Sequence, residues 1–117
     1  AQILFYPTAI GKQEGEKPKV AAAQYQGWEI VQRGHAVANE VFVAATNRVG
    51  KEGPITFWGK SFVSDPFGGL LAQASEDKEE NLIVKCDLSS IEETRHGWPF
   101  WRDRRIDAYQ GKRPIQL

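Results

Sequence analysis

Three places in the chain hold side chains able to do chemistry. Trp28, Gln32, His35 and Asn39 lie four, three and four apart, so on a helix they form one row beside its apolar face. Polar groups there must find hydrogen bonds or cost roughly 1–3 kcal/mol each. A structural network tying the helix to its neighbour meets that need; a pocket wall is the functional alternative. Histidine is the residue type most suited to a general base, but no Ser or Cys stands at a spacing that pairs with His35. Asn47 and Arg48 close an apolar strand, a position where binding residues often sit on a rigid scaffold. The plainer role for Arg48 is to tie loops together through a carboxylate or carbonyls. Pro7, Thr8 and Ala9 end the first strand and carry the same pair of alternatives, turn or pocket lining.

Other candidates resolve toward structure. Lys85 adjoins Cys86, but strand neighbours point to opposite faces, so nothing depresses the thiol pKa as a nucleophile requires. Glu76, Asp77, Glu79 and Glu80 read as a solvated acidic loop. One Cys and two widely separated His fit no zinc spacing. Trp98, Phe100 and Trp101 run into Arg102, Asp103, Arg104 and Arg105. Aromatics among arginines suit single-stranded nucleic acid, and equally the hot spots of a protein interface. Fifteen acidic and fifteen basic residues give zero formal charge, which disfavours nucleic acid and anionic membranes and leaves the interface.

The elements that must position these groups follow from pattern. A chain of 117 residues holds one small domain. No apolar run nears the roughly 20 residues of a bilayer span. A single Cys suits a reducing compartment, and a cytoplasmic location is expected. Ile3–Tyr6 reads as a strand buried on both faces and ended by Pro7; residues 11–19 read as a solvated loop. From Val20 to Glu40 the spacing is helical, with Ala21, Tyr25, Trp28, Val31, His35 and Ala38 on the apolar side. Gly27 and Gly34, each costing about 1 kcal/mol in a helix, share a face where another backbone could approach. Val41–Ala45 is a second apolar strand, and Gly50–Pro54 a loop. Ile55–Trp58 and Lys60–Ser64 are strand-like around Gly59, and Asp65–Gly69 turns the chain back through Leu70–Ala74. Leu82–Val84 is a third apolar strand. Ser89 and Glu92 have capping-box spacing for a short helix through Arg95.

Strands this apolar need cover that one long and one short helix do not supply. The chain has no Met and opens almost directly on Ile3–Tyr6. Both features suggest a piece of a longer protein.

Several segments together carry a resemblance: Ile3–Gly11 with its Pro-Thr-Ala-Ile-Gly, Trp28–Gly50, Thr56–Phe62, and Arg95–Trp98 through Arg102–Arg105 to Tyr109. They resemble the carbon–nitrogen hydrolase (nitrilase) superfamily, in the branch of the N-carbamoylputrescine amidohydrolases and near the β-ureidopropionases. The resemblance implies an α/β fold: the C-terminal half of a four-layer αββα sandwich with mixed sheets. Residues 1–117 would be the C-terminal part of a single hydrolase domain, and 98–117 a segment packing across a subunit boundary through Trp98, Phe100, Trp101, Arg104 and Tyr109. It implies a Cys nucleophile, a Glu general base and a Lys that stabilises the oxyanion, all upstream of Ala1, with no metal or organic cofactor. Its partners would be a small carbamoyl or amide substrate, the missing upstream half, and further copies of the protein in a dimer or larger assembly. It also brings the loop at Pro7, Thr8 and Ala9, and Asn47 with Arg48, nearer to a substrate cavity. No catalytic residue is expected in this chain, which alone would be inactive. The rival expectation is a non-catalytic interaction or regulatory module built from the half-fold.

Overall fold

A computed structural model describes residues 1–109 of the chain. Two small sheets and two helices form the fold. Strands β1 (Ile3–Thr8), β3 (Phe42–Asn47), β6 (Phe62–Ser64) and β7 (Leu70–Gln73) make a mixed sheet in the order β1-β3-β6-β7. Strands β2 (Gly11–Gln13), β5 (Ile55–Trp58) and β4 (Val49–Glu52) make an antiparallel sheet in the order β2-β5-β4. Helix α1 spans Pro18–Asn39, α2 spans Ser89–Gly97, and a 3-10 turn covers Ile106–Tyr109. Among the described residues no helix is long and apolar enough to cross a membrane.

β1 and β3 run parallel, a pairing that demands a crossover, and α1 supplies it. The helix begins at Pro18, whose fixed φ suits the first turn. Its buried row is Trp28, Gln32 and Ala36. Trp28 packs with Ala45 and Phe62, flanked by Tyr25, Ile10 and Trp58. The rings meet edge to face: Trp28–Phe62 at 5.5 Å and 83°, Tyr25–Trp58 at 5.9 Å and 81°. In β1 and β3 the paired positions Tyr6–Ala45 and Thr8–Asn47 lie on the α1 side, and Phe5–Ala44 and Pro7–Thr46 on the other.

The helix packs one column away from the expected side. Tyr25 and Trp28 turn inward as expected, but Val31, His35 and Ala38 are exposed. Gln32 and Ala36 take the inner row because, four and eight residues on from Trp28, they share the helix face that Trp28 seats against Ala45 and Phe62. Gly27 and Gly34 face open space, with no neighbouring backbone near either one.

Other expectations need correction. β1 continues through Pro7 to Thr8, because an outermost strand tolerates a residue without an N–H. It is not covered on both faces: α1 shields one, while Phe5 on the other is 71 % exposed. Residues 11–19 are not all loop. Gly11–Gln13 form β2, and Gly11 is needed because a Cβ there would lie 2.1 Å from the Thr56 carbonyl oxygen. Gly50, Lys51 and Glu52 belong to β4 rather than to a loop. Ile55–Trp58 and Phe62–Ser64 are strands of different sheets. Gly59 (φ 55°) and Lys60 (φ 56°), both left-handed, turn the chain from one sheet into the other.

Leu82–Val84 forms no strand. The segment is extended, with Leu82, Val84 and Cys86 half-buried and Ile83 99 % exposed, yet it has no ladder partner among the described residues. The alternation of a strand is present; a neighbouring strand edge is not. At α2, Ser89 lies inside the first turn rather than before it. Asp87 does the capping, its Oδ1 accepting from the Ser89 backbone N–H (3.1 Å) and hydroxyl (2.7 Å).

Candidate functional site

β1 and β3 end side by side, with Thr8 opposite Asn47. Crevices beyond the carboxyl ends of parallel strands are where α/β sheets bind ligands. Asn47 sits at that point, buried, and all its side-chain valences are engaged. Its Oδ1 accepts from the Ile10 N–H (2.9 Å) and the Thr8 hydroxyl (3.0 Å). Its Nδ2 donates to the carbonyls of Ile10 and Gly59, each at 3.0 Å. Its backbone N–H donates to the Ser61 hydroxyl at 2.9 Å. One amide thus ties the exits of β1, β3 and β5 together. It shapes the wall of a site rather than offering a free hand to a substrate.

Arg48 turns toward the small sheet. Its guanidinium pairs with Glu52 and lies 4.5 Å from the centre of the Phe57 ring. Thr8 is half-buried and its hydroxyl is shared between Asn47 and the Thr46 carbonyl (3.0 Å); Pro7 and Ala9 are exposed on the rim. Beside this knot runs a polar groove of about 650 Å³ whose wall includes Thr46, Arg48, Ser61, Lys78 and Glu79. It meets a second, apolar groove of about 380 Å³ between the uncovered sheet face, at Phe5, Ala44 and Val63, and the side chains of Val84 and Cys86. Burial pushes the Cys86 thiol up, away from nucleophile behaviour. Among the described residues no three His, Cys, Asp or Glu side chains converge as a metal ion requires.

The polar row on α1 does not form a network to its neighbour. The Gln32 amide donates to the Trp28 carbonyl (3.0 Å) and the Asn39 amide to the His35 carbonyl (2.9 Å), both within the helix. His35 is exposed and stacks on Tyr6 at 5.9 Å.

The link from α1 to the β6–β7 hairpin lies elsewhere, in Tyr25, which the helical spacing placed on the apolar side, and in Glu29 and Arg33, which no motif marked. Tyr25 donates to Glu29, and Arg33 donates to Glu29 (2.8 Å) and to the Gly68 carbonyl (2.7 Å). Gln73 donates to the Tyr25 oxygen (3.0 Å), and the Lys60 ammonium lies 4.4 Å from the centre of the Tyr25 ring. The four-residue spacing of Tyr25, Glu29 and Arg33 was the available signal; their partners on the hairpin had none. Burial, then the hydrogen bond to Glu29, pushes Tyr25 up to about 12. Burial also opposes ionisation of Glu29, but hydrogen bonds from Tyr25 and Arg33 outweigh it and hold Glu29 low.

The signs give a pH prediction. Tyr25 holds its proton more tightly folded than unfolded, so its contribution is complete below its ordinary value of 10.0 and is lost as pH rises toward about 12. Glu29 contributes fully above its ordinary 4.5, and that contribution is lost as pH falls through its lowered native value. Chemical denaturation across pH should show Tyr25→Phe losing less stability than the parent between pH 10 and 12. Parallel curves would refute the half-buried Tyr25–Glu29 contact.

The C-terminal aromatics divide. Trp98 and Phe100 are half-exposed and form a surface cluster with Phe67, with centroids 5.4 Å apart for Phe67–Trp98 and 5.6 Å for Trp98–Phe100. Trp101 is half-buried within the chain: its indole N–H donates to the Asn39 carbonyl at 3.2 Å, and Arg104 lies over its ring at 4.7 Å. The Tyr109 side chain and residues 110–117 of the expected interface segment lie outside the described residues.

Known proteins resemble this chain in sequence and fold. The family model of carbon–nitrogen hydrolases matches residues 1–96. N-carbamoylputrescine amidase of Oryza sativa subsp. japonica is 42% identical over 118 residues, a match covering 94% of this chain and 38% of that protein. Citrullinase of Francisella tularensis subsp. tularensis is 35% identical over 113 residues, covering 93% of this chain and 38% of that protein. The crystal structure of a carbon–nitrogen hydrolase from Helicobacter pylori G27 superimposes with a TM-score of 0.88 at 46% identity, covering 100% of this chain and 42% of that one. The chain thus spans about two fifths of the length of these relatives.

Proposed function

The chain belongs to the carbon–nitrogen hydrolase family, and from that premise we propose that it is the C-terminal part of an amidohydrolase acting on a linear N-carbamoyl amine of the N-carbamoylputrescine kind. The similarity to the rice N-carbamoylputrescine amidase, at 42% identity across 94% of the chain, carries this reading. The Cys nucleophile, Glu base and Lys belong to the segment preceding Ala1. In that scheme the thiolate attacks the carbamoyl carbon and the amine leaves with a proton; water then releases the carbamoyl group, which ends as ammonia and carbon dioxide. Lys stabilises the oxyanion that forms on the carbonyl oxygen. This chain's part is to build one wall. Asn47 locks the loop of Thr8, Ala9 and Ile10 beside the parallel strand ends, and Pro7, Thr8, Ala9, Asn47 and Arg48 border the substrate cavity. The reading also includes a cytoplasmic location and an assembly of two or more copies, with the Phe67–Trp98–Phe100 cluster as a contact.

The test is ammonia release by the full-length protein from N-carbamoylputrescine, citrulline and an ω-amide, with sedimentation of the same sample. N-carbamoylputrescine should exceed the others in kcat/KM by at least about tenfold, and Cys86→Ala should leave that value within about twofold. The protein should sediment as a dimer or larger. No turnover of the carbamoyl amine, or its loss in Cys86→Ala, would overturn the reading. A monomer would remove its assembly part.

A further inference from the structure

Glu40 follows α1 at φ 53° and ψ 47°, in the left-handed region. Helices end in that conformation with Gly or Asn, because a Cβ is strained there. A negative charge is also disfavoured at the carboxyl end of a helix dipole. Glu40 is moreover fully buried, at 0 % exposure, and neither carboxylate oxygen has a hydrogen-bond partner. Strain, dipole and desolvation each argue against Glu at this position. A nearby cation offsets part of that cost.

That cation is Arg95 of α2. Its Nε lies 4.0 Å from the Glu40 carboxylate, and this Nε is itself buried without a hydrogen-bond partner. No other ion pair reaches Glu40 among the described residues. A second contact is made one residue earlier, where the Asn39 carbonyl accepts the Trp101 indole N–H. α1 has no basic residue in its own last turn. The C-terminal segment brings cations instead: Arg95, Arg102 and Arg104 line a cavity of about 510 Å³ whose wall includes Leu4, Val41 and Trp101. Arg102 is bound to Asp103 (2.8 Å), and Arg95 also touches the exposed Glu92 (3.5 Å). Neither of those acidic side chains is buried; Glu40 is.

We propose that Glu40 and Arg95 are positioning residues, an electrostatic clasp that docks the segment from α2 through Trp101 onto the carboxyl end of α1. Buried ion pairs add little net stability, but losing either partner strands the other charge. The clasp therefore acts through selectivity: one placement of α2 satisfies both groups. It fixes where Trp98 and Phe100 stand on the surface.

Hydrogen exchange of the full-length protein, read by mass spectrometry, tests this. Glu40→Gly is the decisive variant, because Gly suits the left-handed backbone. If the carboxylate did nothing, this change would leave exchange in 89–101 unchanged or slower. The clasp requires exchange there to rise by about tenfold or more, with α1 and β3 unaffected. Glu40→Gln and Arg95→Gln should act alike, and the double variant should be no worse than the worse single one. Arg95→Lys should retain part of the protection. Should the Glu40 variants not fold, Arg95→Gln reads the same clasp from the other side. Unchanged or slower exchange in Glu40→Gly, uniform acceleration of every peptide, or additive single effects would overturn the proposal.

Discussion

Replacing Asn47 with Ala is expected to remove about 3–6 kcal/mol of stability, a large part of the roughly 5–15 kcal/mol that holds an ordinary domain. The side chain makes four hydrogen bonds, and its loss leaves the Ile10 N–H and the Gly59 carbonyl without a partner among the described residues, while the Ile10 carbonyl keeps only the Trp58 N–H at 3.4 Å. Unsatisfied buried groups cost more than a made bond gains, so the penalty exceeds what the contacts themselves are worth. Asn47→Asp should be comparably damaging. It keeps the acceptor for Thr8 and Ile10 but turns a second carboxylate oxygen toward two carbonyls. Ser61→Ala should be milder, about 1 kcal/mol, because among the described residues the Ser61 hydroxyl meets only the Asn47 backbone. The readout is the denaturation midpoint of the full-length protein, with kcat/KM alongside. Loss of the knot frees the Thr8–Ile10 loop, so activity should fall more than global stability alone explains. A change below about 1 kcal/mol in Asn47→Ala would show that the knot is incidental.

The 117-residue chain by itself is expected to aggregate, or to melt without cooperativity while binding a hydrophobic dye. The mixed sheet is covered by α1 on one face. On the other, Phe5 is 71 % exposed, and among the described residues the cover is the segment carrying Leu82, Val84 and Cys86. At about 25 cal/mol per Å² of apolar surface, an uncovered face of this kind forfeits several kcal/mol. That is comparable with the whole stability of a domain. β1 and β7 are open edges, and the 82–86 backbone has no ladder partner among the described residues, so strand-to-strand association is the expected failure. If the chain is the C-terminal part of a longer hydrolase, as proposed, supplying the preceding part in trans should restore a cooperative transition and suppress dye binding. A chain that is monomeric and melts cooperatively alone would instead support an autonomous interaction module.

Much of this protein was legible in local pattern. The α1 span, the β3 strand, the β6–β7 hairpin turned at Asp65–Gly69 and the short α2 all follow from spacing, turn residues and apolar runs. These signals are local: each depends on neighbours within a few residues, as backbone sterics and side-chain periodicity do. The family resemblance rested on the same local segments, and the match across residues 1–96 agrees with it.

Tertiary structure decided what depends on partners distant in sequence. It turned α1 so that Gln32 and Ala36, rather than Val31 and His35, are buried, since they share the face that Trp28 seats against Ala45. It made β2 from a polar stretch, because pairing with β5 needed backbone groups and a missing Cβ at Gly11 rather than an apolar pattern. It left Leu82–Val84 unpaired, because alternation prepares a strand but only a neighbouring edge completes one. It showed Asn47 to be a knot between three strand exits and Glu40 to be a buried charge facing Arg95. The residue types were visible from the start. Their meaning was set by which groups the fold brought within hydrogen-bond and ion-pair reach, and sequence distance carries no record of that.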